Sequence, residues 1–479
     1  MSSQDAEPSL YAAREPVFPK RVKGNFRRLK WWLMGFMLGA YYLLPWIRWD
    51  RGPELPDQAV LLDLANRRFF FFMIEIWPHE FYFVAGLLIM AGLGLFLFTS
   101  ALGRVWCGYA CPQTVWTDLM ILVERWVEGD RNARLRLYRQ KWNGEKIRKR
   151  LVKWTLWLLI GLATGGAWVF YFTDAPTLLR ALLTGNAHPV AYTTITILTA
   201  TTFTFGGFFR EQVCIYACPW PRIQAAMMDE DTITIGYRDW RGEPRGKLHK
   251  TEGAGGPGDC IDCMACVNVC PMGIDIRNGQ QLACITCGLC IDACNEIMDR
   301  IEKPRGLIGY LALTDETRER AGQPPKNIWK HVFRPRTILY TTLWSAVGIG
   351  LVVALFLRSD LDMNVTPVRN PLYVTLSDGG IRNAYDIRLR NKLGSDHAYA
   401  LSVTPDDELT LRIEGAEGNV VTVPANDTLA VRVYLEAAPD STAARTERTE
   451  VRLWVSDAGG TATGDSRVHH DTVFNGRAK

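Results

Sequence analysis

Eight of the chain's cysteines fall in two matching runs, Cys260 to Pro271 (CIDCMACVNVCP) and Cys284 to Asn295 (CITCGLCIDACN). Three thiolates spaced two residues apart wrap a tight loop round one face of an iron–sulfur cube. The fourth cysteine, after a longer step, leaves that loop for the neighbouring cube. The spacing therefore predicts two [4Fe-4S] clusters with crossed ligands. One takes Cys260, Cys263, Cys266 and Cys294; the other takes Cys284, Cys287, Cys290 and Cys270. Zinc asks for only four ligands per ion, from one or two C-x2-C pairs, and a disulfide framework belongs to small secreted domains. Neither calls for eight cysteines in two like runs, the form of a two-cluster ferredoxin.

The other four cysteines also come in matched pairs. Cys107, Cys111 and Pro112 repeat as Cys214, Cys218 and Pro219, each with Tyr-Ala before the second cysteine and an arginine (Arg104, Arg210) shortly before the first. On a helix, residues at i and i+4 project from one side. Four such thiols suit one soft metal: Cu(I), zinc or an iron–sulfur centre. A free cysteine also packs well as a small hydrophobe. Two like copies beside a redox module favour the metal or redox role, and the spacing leaves the metal open.

These motifs need elements to place them. Apolar runs at Trp31–Ile47 (ended by Pro45), Phe81–Ser100, Leu151–Phe172, Val190–Phe209 and Thr337–Leu357 read as five membrane spans. Each C-x3-C-P motif follows a pair of spans, so spans one–two and three–four read as tandem repeats. A pseudo-twofold axis along the membrane normal would bring the four cysteines together. Basic segments before span one, after span two and after span four place the N-terminus, 101–150 and 210–336 on the cytoplasmic side. The segments at 48–80, 173–189 and beyond Leu357 then lie outside. Between the motifs, 119–126 reads as a soluble amphipathic helix with Leu119, Ile121, Leu122, Val123 and Trp126 on its apolar side, while Phe69–Phe72 and Ile74–Trp77 read as interfacial.

Beyond residue 360 the pattern becomes short alternating runs at Tyr373, Tyr385, Leu401, Leu409, Val420, Leu429 and Val451, separated by Gly, Pro, Asp and Asn. Seven such strands suggest an immunoglobulin-like sandwich without an intersheet cysteine pair. The expected fold class is thus a multi-domain membrane protein: an α-helical transmembrane bundle of about five spans, a two-cluster ferredoxin-like α+β module and a C-terminal all-β sandwich. The expected divisions are a tail at 1–30, a four-span domain at 31–236, the ferredoxin-like domain with linkers (Tyr237–Gly258 among them) at 237–336, a fifth helix at 337–357 and the sandwich at 358–479.

Composition sets limits. The chain has 479 residues, a formal charge of +5 and twelve cysteines, all between Cys107 and Cys294. Cysteines so placed, without a secreted-domain pattern, point to metal ligands in a reducing compartment. No cleavable signal peptide is expected, because the first apolar run lacks a small-residue cleavage site. The basic run at 131–150 suits anionic lipid headgroups; a nucleic-acid partner would leave the cysteines unexplained. His79 could touch a quinone or copper, and His469 and His470 could bind copper, but interfacial or packed side chains are the default. Met34, Met37 and Met90 could pass copper, though packing is again the default. A Gly-rich dinucleotide fingerprint between strand and helix is lacking, so the electron donor is expected to be external and unnamed.

Several stretches together resemble the CcoG family, also called FixG or RdxA, the cytochrome c oxidase accessory proteins. They are RVWCGYACPQTVW at 104–116, VEGDR at 127–131, REQVC at 210–214, RGEPRG at 241–246, GDCIDC at 258–263 and the C-terminal β region. C-x3-C-P motifs and ferredoxin runs also occur in NapH-like quinol dehydrogenases; the sandwich favours CcoG. The resemblance implies a multi-pass protein of the bacterial inner membrane with a periplasmic sandwich. It implies a cupric reductase, turning Cu(II) into Cu(I) for assembly of a cbb3-type oxidase, with assembly factors or copper carriers as partners; apart from the resemblance, a homodimer is left open. Cys107, Cys111, Cys214 and Cys218 would then be the copper site or part of it, and the catalytic residues. The competing readings are a quinol-linked conduit without copper and a scaffold whose clusters are only structural.

Overall fold

A computed structural model describes residues 16–52, 55–247, 258–358, 361–392, 395–405, 408–416, 418–458 and 467–477. The expected tail at 1–30 and the linker at 237–258 lie partly outside the described residues. The chain divides into two compact units, Met1–Ile47 with Gln58–Leu351, and Arg48–Asp57 with Val352–Lys479. The helices between 25 and 209 and the ferredoxin-like region, expected as separate domains, fall in one unit, and the boundary lies within the helix Pro335–Phe356.

Among the described residues three helices are long and apolar enough to cross a membrane by length and composition: Pro78–Leu102, Gly144–Val169 and Pro335–Phe356. They match the expected second, third and fifth spans. The first expected span is helix α1 (Asn25–Leu43) followed by a 3-10 turn at Leu44–Trp46 that contains Pro45. Its apolar part starts only at Trp31, about 20 Å of helix at 1.5 Å per residue, short of a ~30 Å hydrocarbon core. Helix α2 (Tyr82–Leu102) leads to the first C-x3-C-P motif, and helix α3 (Pro112–Glu128) follows it. Helix α4 is Gly144–Val169. The fourth expected span is helix α5 (Pro189–Thr201), which continues from Thr202 to Phe209 with π-type pitch and so departs from one regular spanning helix.

Helix α3 corrects the expectation of a soluble amphipathic helix. It runs antiparallel along α4: the Trp116 indole donates to Thr164 Oγ1 (2.8 Å), the Trp157 indole donates to the Met120 carbonyl (3.1 Å), and Lys153 pairs with Glu128 (2.8 Å) and Glu124 (3.5 Å). Its buried face carries Asp118, Glu124 and Glu128 beside Val115, Met120 and Ile121, while Leu122 and Trp126 are exposed. Charges point inward because cations from neighbouring elements meet them there, and Leu122 and Trp126 point outward, a departure from the charged outer face of a helix packed on a water-facing surface.

Small residues let the helices close. A Cβ on Gly165 would lie 2.8 Å from the Ile195 carbonyl oxygen, and one on Gly161 would lie 3.0 Å from that of Thr199, so α4 and α5 meet backbone to backbone. The ferredoxin-like region adds helix α6 (Ala265–Val269), helix α7 (Leu289–Arg300) and an antiparallel pair of strands that bracket the cysteine runs in sequence, Thr234–Tyr237 and Ile308–Leu311. Helix α8 (Pro335–Phe356) closes the series.

Residues 60–76, expected as interfacial in part, form a three-stranded antiparallel sheet, Val60–Asp63, Arg68–Phe71 and Ile74–Ile76. The consecutive phenylalanines alternate across it, and Phe70 takes the buried side. In the second unit all seven expected strands are present, in two antiparallel sheets. Leu409–Ile413, Thr428–Ala437, Ile381–Asn391 and Leu361–Pro367 make one, with Val374–Thr375 on its side; Val420–Val423, His397–Thr404, Arg448–Asp457 and Arg467–Asn475 make the other. Strict alternation in Ile381–Asn391 sends Ile381, Tyr385, Ile387 and Leu389 into the core. Leu361–Pro367 and Arg467–Asn475 are additional strands.

The α4–α5 contact gives a direct comparison. Gly165→Leu drives a side chain into the α5 backbone, and overpacking of this kind costs about 1–3 kcal/mol. A Cβ on Gly166 meets no atom within 4 Å, so Gly166→Leu starts into open space. Thermal melting of the full chain should show a lowered Tm for the first variant and a near-wild-type value for the second.

Candidate metal centres

The two ferredoxin-type runs share a backbone as well as a spacing. Asp262 (φ 52°) and Thr286 (φ 54°) each precede the second cysteine of their run, and Met264 (φ 57°) and Gly288 (φ 75°) each follow it. These left-handed steps fold each C-x2-C-x2-C segment back on itself. A non-glycine residue in this region costs roughly 1–2 kcal/mol, so three such residues in matching places mark a loop shape the sequence holds against its own preference.

The thiols sort into two groups. Burial raises the Cys294 thiol to about 12, and the next influences are Cys266, Cys263 and Cys260. Burial likewise raises Cys270 to about 12, followed by Cys287 and, further down, Cys284. Each fourth cysteine thus sits electrostatically among the thiols of the crossed quartet. Cys290, raised well above the ordinary thiol value by burial, has Cys287, Cys284, Cys270 and Cys266 as its neighbours. A cavity lined by Cys266, Cys270, Cys284, Cys287 and Cys290 with Ile235, Ile276 and Leu289 lies between the groups. Buried thiols cannot ionise without nearby positive charge, and an iron–sulfur core supplies it. Among the described residues no three His, Cys, Asp or Glu side chains stand close enough to hold a single metal ion. Two crossed groups of thiols gathered at one cavity are an arrangement that fits a pair of iron–sulfur cubes.

The C-x3-C-P cysteines also come together. Cys107, raised to about 12 by burial first, is influenced next by Cys111 and then, after Arg104, by Cys214 and Cys218; Cys214, raised to about 11 by burial, is influenced next by Cys111 and Cys218. The two motifs have one local geometry. Gly103 (φ 62°, ψ −127°) and Arg210 (φ 46°, ψ −114°) each stand four residues before the first cysteine. The second cysteine's N–H reaches back five residues in both, Cys111 to the Trp106 carbonyl (2.9 Å) and Cys218 to the Val213 carbonyl (2.8 Å). The expected i, i+4 helical face is not what forms. Cys111 (ψ 128°) and Cys218 (ψ 122°) are extended, because proline disfavours helical backbone in the residue before it.

The first motif is fastened to the second ferredoxin-type loop. Arg104 donates to the carbonyls of Leu282, Cys284 (3.3 Å) and Pro221 (2.5 Å), and the Tyr109 hydroxyl donates to the Cys287 carbonyl (3.0 Å). A Cβ on Gly108 would lie 2.5 Å from the Ile285 carbonyl oxygen, so only glycine permits this approach. Cys107 and Cys214 pack against the apolar cluster that contains Cys287 and is joined by Cys270. Three participants carried no local sequence signal. Gln224 accepts from the Cys107 thiol (3.1 Å) and is itself held by Thr99; Asp292 and Asp118 anchor α1. The Asp292 carboxylate accepts the backbone N–H groups of Phe26 (3.3 Å) and Arg27 (2.8 Å), capping α1, whose own N-cap is Gly24. The Arg27 guanidinium then donates to both oxygens of buried Asp118 (3.0 and 2.9 Å), with Lys30 at 3.8 Å.

The remaining candidates do not converge on a centre. Met34 is buried in α1 and Met90 packs beside Gly348. Met37 shares α1 with Met34, one turn further along. His79 lies 3.7 Å from Glu80. His469 packs tilted against Trp454 (ring centroids 4.8 Å apart), and neighbouring His470 takes the opposite side of its strand.

Comparison with known proteins places these features. Residues 209–312 match the 4Fe-4S dicluster domain, residues 83–131 match a 4Fe-4S binding domain, and residues 351–477 match the IG-like fold at the C-terminus of FixG. Protein RdxB of Cereibacter sphaeroides is 74% identical over 479 residues, all of both chains. Protein RdxA of the same organism is 66% identical over 94% of this chain and 95% of its own. Nitrogen fixation protein FixG of Rhizobium meliloti is 54% identical over 86% of this chain and 84% of its own.

Burial pushes the Asp118 carboxyl up, but Lys30, Arg27 and the Arg27 hydrogen bond outweigh it and hold it below the ordinary carboxylate range. The ion pair therefore stabilises the fold above the unfolded Asp value of about 3.9, and that stability is lost as pH falls through the lower folded value. Asp118→Asn leaves two buried cations without their counter-charge, at a cost of about 3–5 kcal/mol near neutral pH. Denaturation followed from pH 7 to pH 3 should show this loss at neutral pH and a shallower acid decline than in the wild type.

Proposed function

The chain belongs to the FixG/RdxA family of iron–sulfur proteins, and on that premise we propose that it is a membrane-bound electron-transfer protein that reduces Cu(II) to Cu(I) for assembly of a cbb3-type cytochrome oxidase. The observation that carries the reading is the contact of the first C-x3-C-P motif with the second ferredoxin-type loop through Arg104, Tyr109 and Gly108, with Cys107 and Cys214 packed on the cluster that contains Cys287. In this reading Cys260, Cys263, Cys266 and Cys294 hold one [4Fe-4S] cluster, and Cys284, Cys287, Cys290 and Cys270 hold the other. Such clusters supply one-electron chemistry, the stoichiometry of Cu(II) to Cu(I).

Copper is the substrate. Its reduction adds one electron and breaks no covalent bond. Cys107, Cys111, Cys214 and Cys218 present soft sulfur, which favours the cuprous product over the cupric substrate. Gln224 orients the Cys107 thiol through its carbonyl oxygen. The prolines after Cys111 and Cys218 keep the second thiol of each pair off the helix axis, and the four sulfurs must draw closer to hold one ion. In the membrane, α1 and the Pro189–Phe209 rod complete a five-pass arrangement with the cysteine centres on the cytoplasmic side of the inner membrane and the sandwich in the periplasm. The strongly basic Arg131–Arg150 segment supports that orientation. Oxidase assembly factors or copper carriers are the proposed partners.

One observation favours a second reading. The 4Fe-4S binding model covers Cys107 and Cys111, and thiols set wider than a single-ion site suit a third cluster. Anaerobic protein analysed for iron, sulfide and copper together separates the two. About eight irons per chain fits copper at the C-x3-C-P thiols, and about twelve assigns them a cluster.

Two substitution experiments follow from the proposed ligands. Serine at Cys107, Cys111, Cys214 and Cys218 together should leave about eight irons per chain and abolish Cu(II) reduction by the dithionite-reduced protein; undiminished reduction removes the site assignment. Cys294→Ser should lower bound iron by about four per chain while the quartet built on Cys284 keeps its absorbance.

A further inference from the structure

A cavity of about 420 Å³ opens among α1, α3, α4 and the Pro189–Phe209 rod. Its volume lies in the ~300–1,000 Å³ range of small-molecule sites, far beyond the gaps of a packed interior. The wall is aromatic, with Tyr41, Trp116, Trp168 and Phe205, and Pro112 and Gln113 close one end. These last two residues directly follow Cys111, so the cavity abuts the C-x3-C-P centre. Gln113 also lines the neighbouring cavity that holds Cys214, Arg210 and Glu211.

The polar atoms on the wall decide what could fill it. The Tyr41 hydroxyl donates to the Thr164 carbonyl (2.7 Å), the Thr201 hydroxyl donates to the Ile197 carbonyl (2.9 Å), and the Gln113 amide donates to the carbonyls of Phe205 (2.8 Å) and Arg210 (3.1 Å). Each therefore keeps an oxygen with lone pairs to offer and no spare proton. Trp168 and Thr202 add an indole N–H and a hydroxyl that form no hydrogen bond among the described residues. The cavity thus offers flat stacking surfaces, acceptors and donors together. A lipid tail would use none of the polar atoms, and a charged ligand would find no counter-charge among the lining residues. The π-pitched turn from Thr202 supplies Phe205 and Gly206 to the wall, and such turns recur at functional sites. Phe205 and Trp168 are 44% exposed on helices that the five-pass arrangement sets in lipid.

We propose that this cavity binds the ring of a membrane quinone in both its redox forms, the quinol through the acceptors and the quinone through the donors. The inference deepens the electron-transfer reading by naming the chemical class of the electron donor, and it rests on that reading for the reason a quinol would bind there.

The test is binding, not turnover. Full-length protein in nanodiscs, with its iron content measured, is titrated with decylubiquinone and with menadione by calorimetry against empty nanodiscs. Saturable binding above the empty-disc background is expected for at least one probe. Thr201→Leu fills the cavity and removes an acceptor, and it should weaken binding at least tenfold, while Thr201→Ser stays within about threefold. Both variants should keep the wild-type iron content, and Thr202→Val, which exchanges the hydroxyl donor for a methyl of like size, should weaken the oxidised probe. Absence of saturable binding overturns the proposal. So does binding that Thr201→Leu leaves unchanged, or a co-purified phospholipid that neither probe displaces. Cu(II) reduction by dithionite-reduced protein needs no quinone, so failure of the copper reading and failure of this site register in different measurements.

Discussion

Arg27 is held at both ends, and much of the first unit's geometry follows from that. Its backbone N–H is bound by Asp292 on α7, and its guanidinium is bound by Asp118 on α3. The ferredoxin-type helix and the helix that starts at Cys111 are thereby fixed to the same residue of α1. Glycine makes the contact possible. A Cβ at Gly24 would fall 2.2 Å from the Asp292 carboxyl carbon, and one at Gly288 would fall 2.6 Å from the Phe26 ring. The negative carboxylate also meets the positive end of the α1 dipole. Electron transfer between thiol-bound centres requires fixed separations, and a cap supplied by another element fixes position in a way that a self-capped helix would not.

A second set of buried charges sits about two to three turns further along α3. Glu124 is approached by Arg134, Lys153 (3.5 Å) and Arg210 (3.4 Å), and Glu128 by Lys153 (2.8 Å) and Arg150 (3.2 Å). Burying ions costs several kcal/mol each, and the pairing offsets this only when geometry is good. Such a cluster is a poor source of stability, yet it ties α3 at once to α4, to Arg134 and to Arg210. That suits its place, because Arg210 is also the left-handed residue that opens the second C-x3-C-P motif. Glu124 thus holds a strained residue in the place where the first motif has an unstrained glycine.

The chemistry was legible in the sequence because cysteine spacing is a local property. The 4Fe-4S dicluster region, the like geometry of the two C-x3-C-P motifs and the seven sandwich strands were all visible in residue order. What was not legible depended on distant partners. Helix α3 reads as water-facing because Asp118, Glu124 and Glu128 recur along it, and nothing nearby in sequence shows that Arg27, Lys30, Arg134 and Lys153 will cover them. Phe69–Phe72 lacks polar alternation, so its strand character was hidden. Arg467–Asn475 lies at a sheet edge, pairing only with Arg448–Asp457, and its mixed composition follows from that single-sided pairing. Gln224 lies 117 residues from Cys107 and carries no motif of its own.

The two halves of the C-x3-C-P centre share a backbone but not an environment. Proline imposes the same extended cysteine in both, and the same five-residue return of its N–H follows. Around that common core, the first copy is tied by Arg104 and Tyr109 to carbonyls of the loop from Leu282 to Cys287, whereas the second copy has Glu211 at the position of Arg104 and packs through Cys214 and Ile215 on apolar side chains. A duplicated element that had kept two equal copies would present equal thiols. Here directional hydrogen bonds fix one pair against the ferredoxin-type loop, and non-directional packing seats the other. Any ion or cluster shared by the four sulfurs therefore has one rigid side and one that can adjust, and the adjustable side is the one through which a wide thiol set could close on a smaller guest.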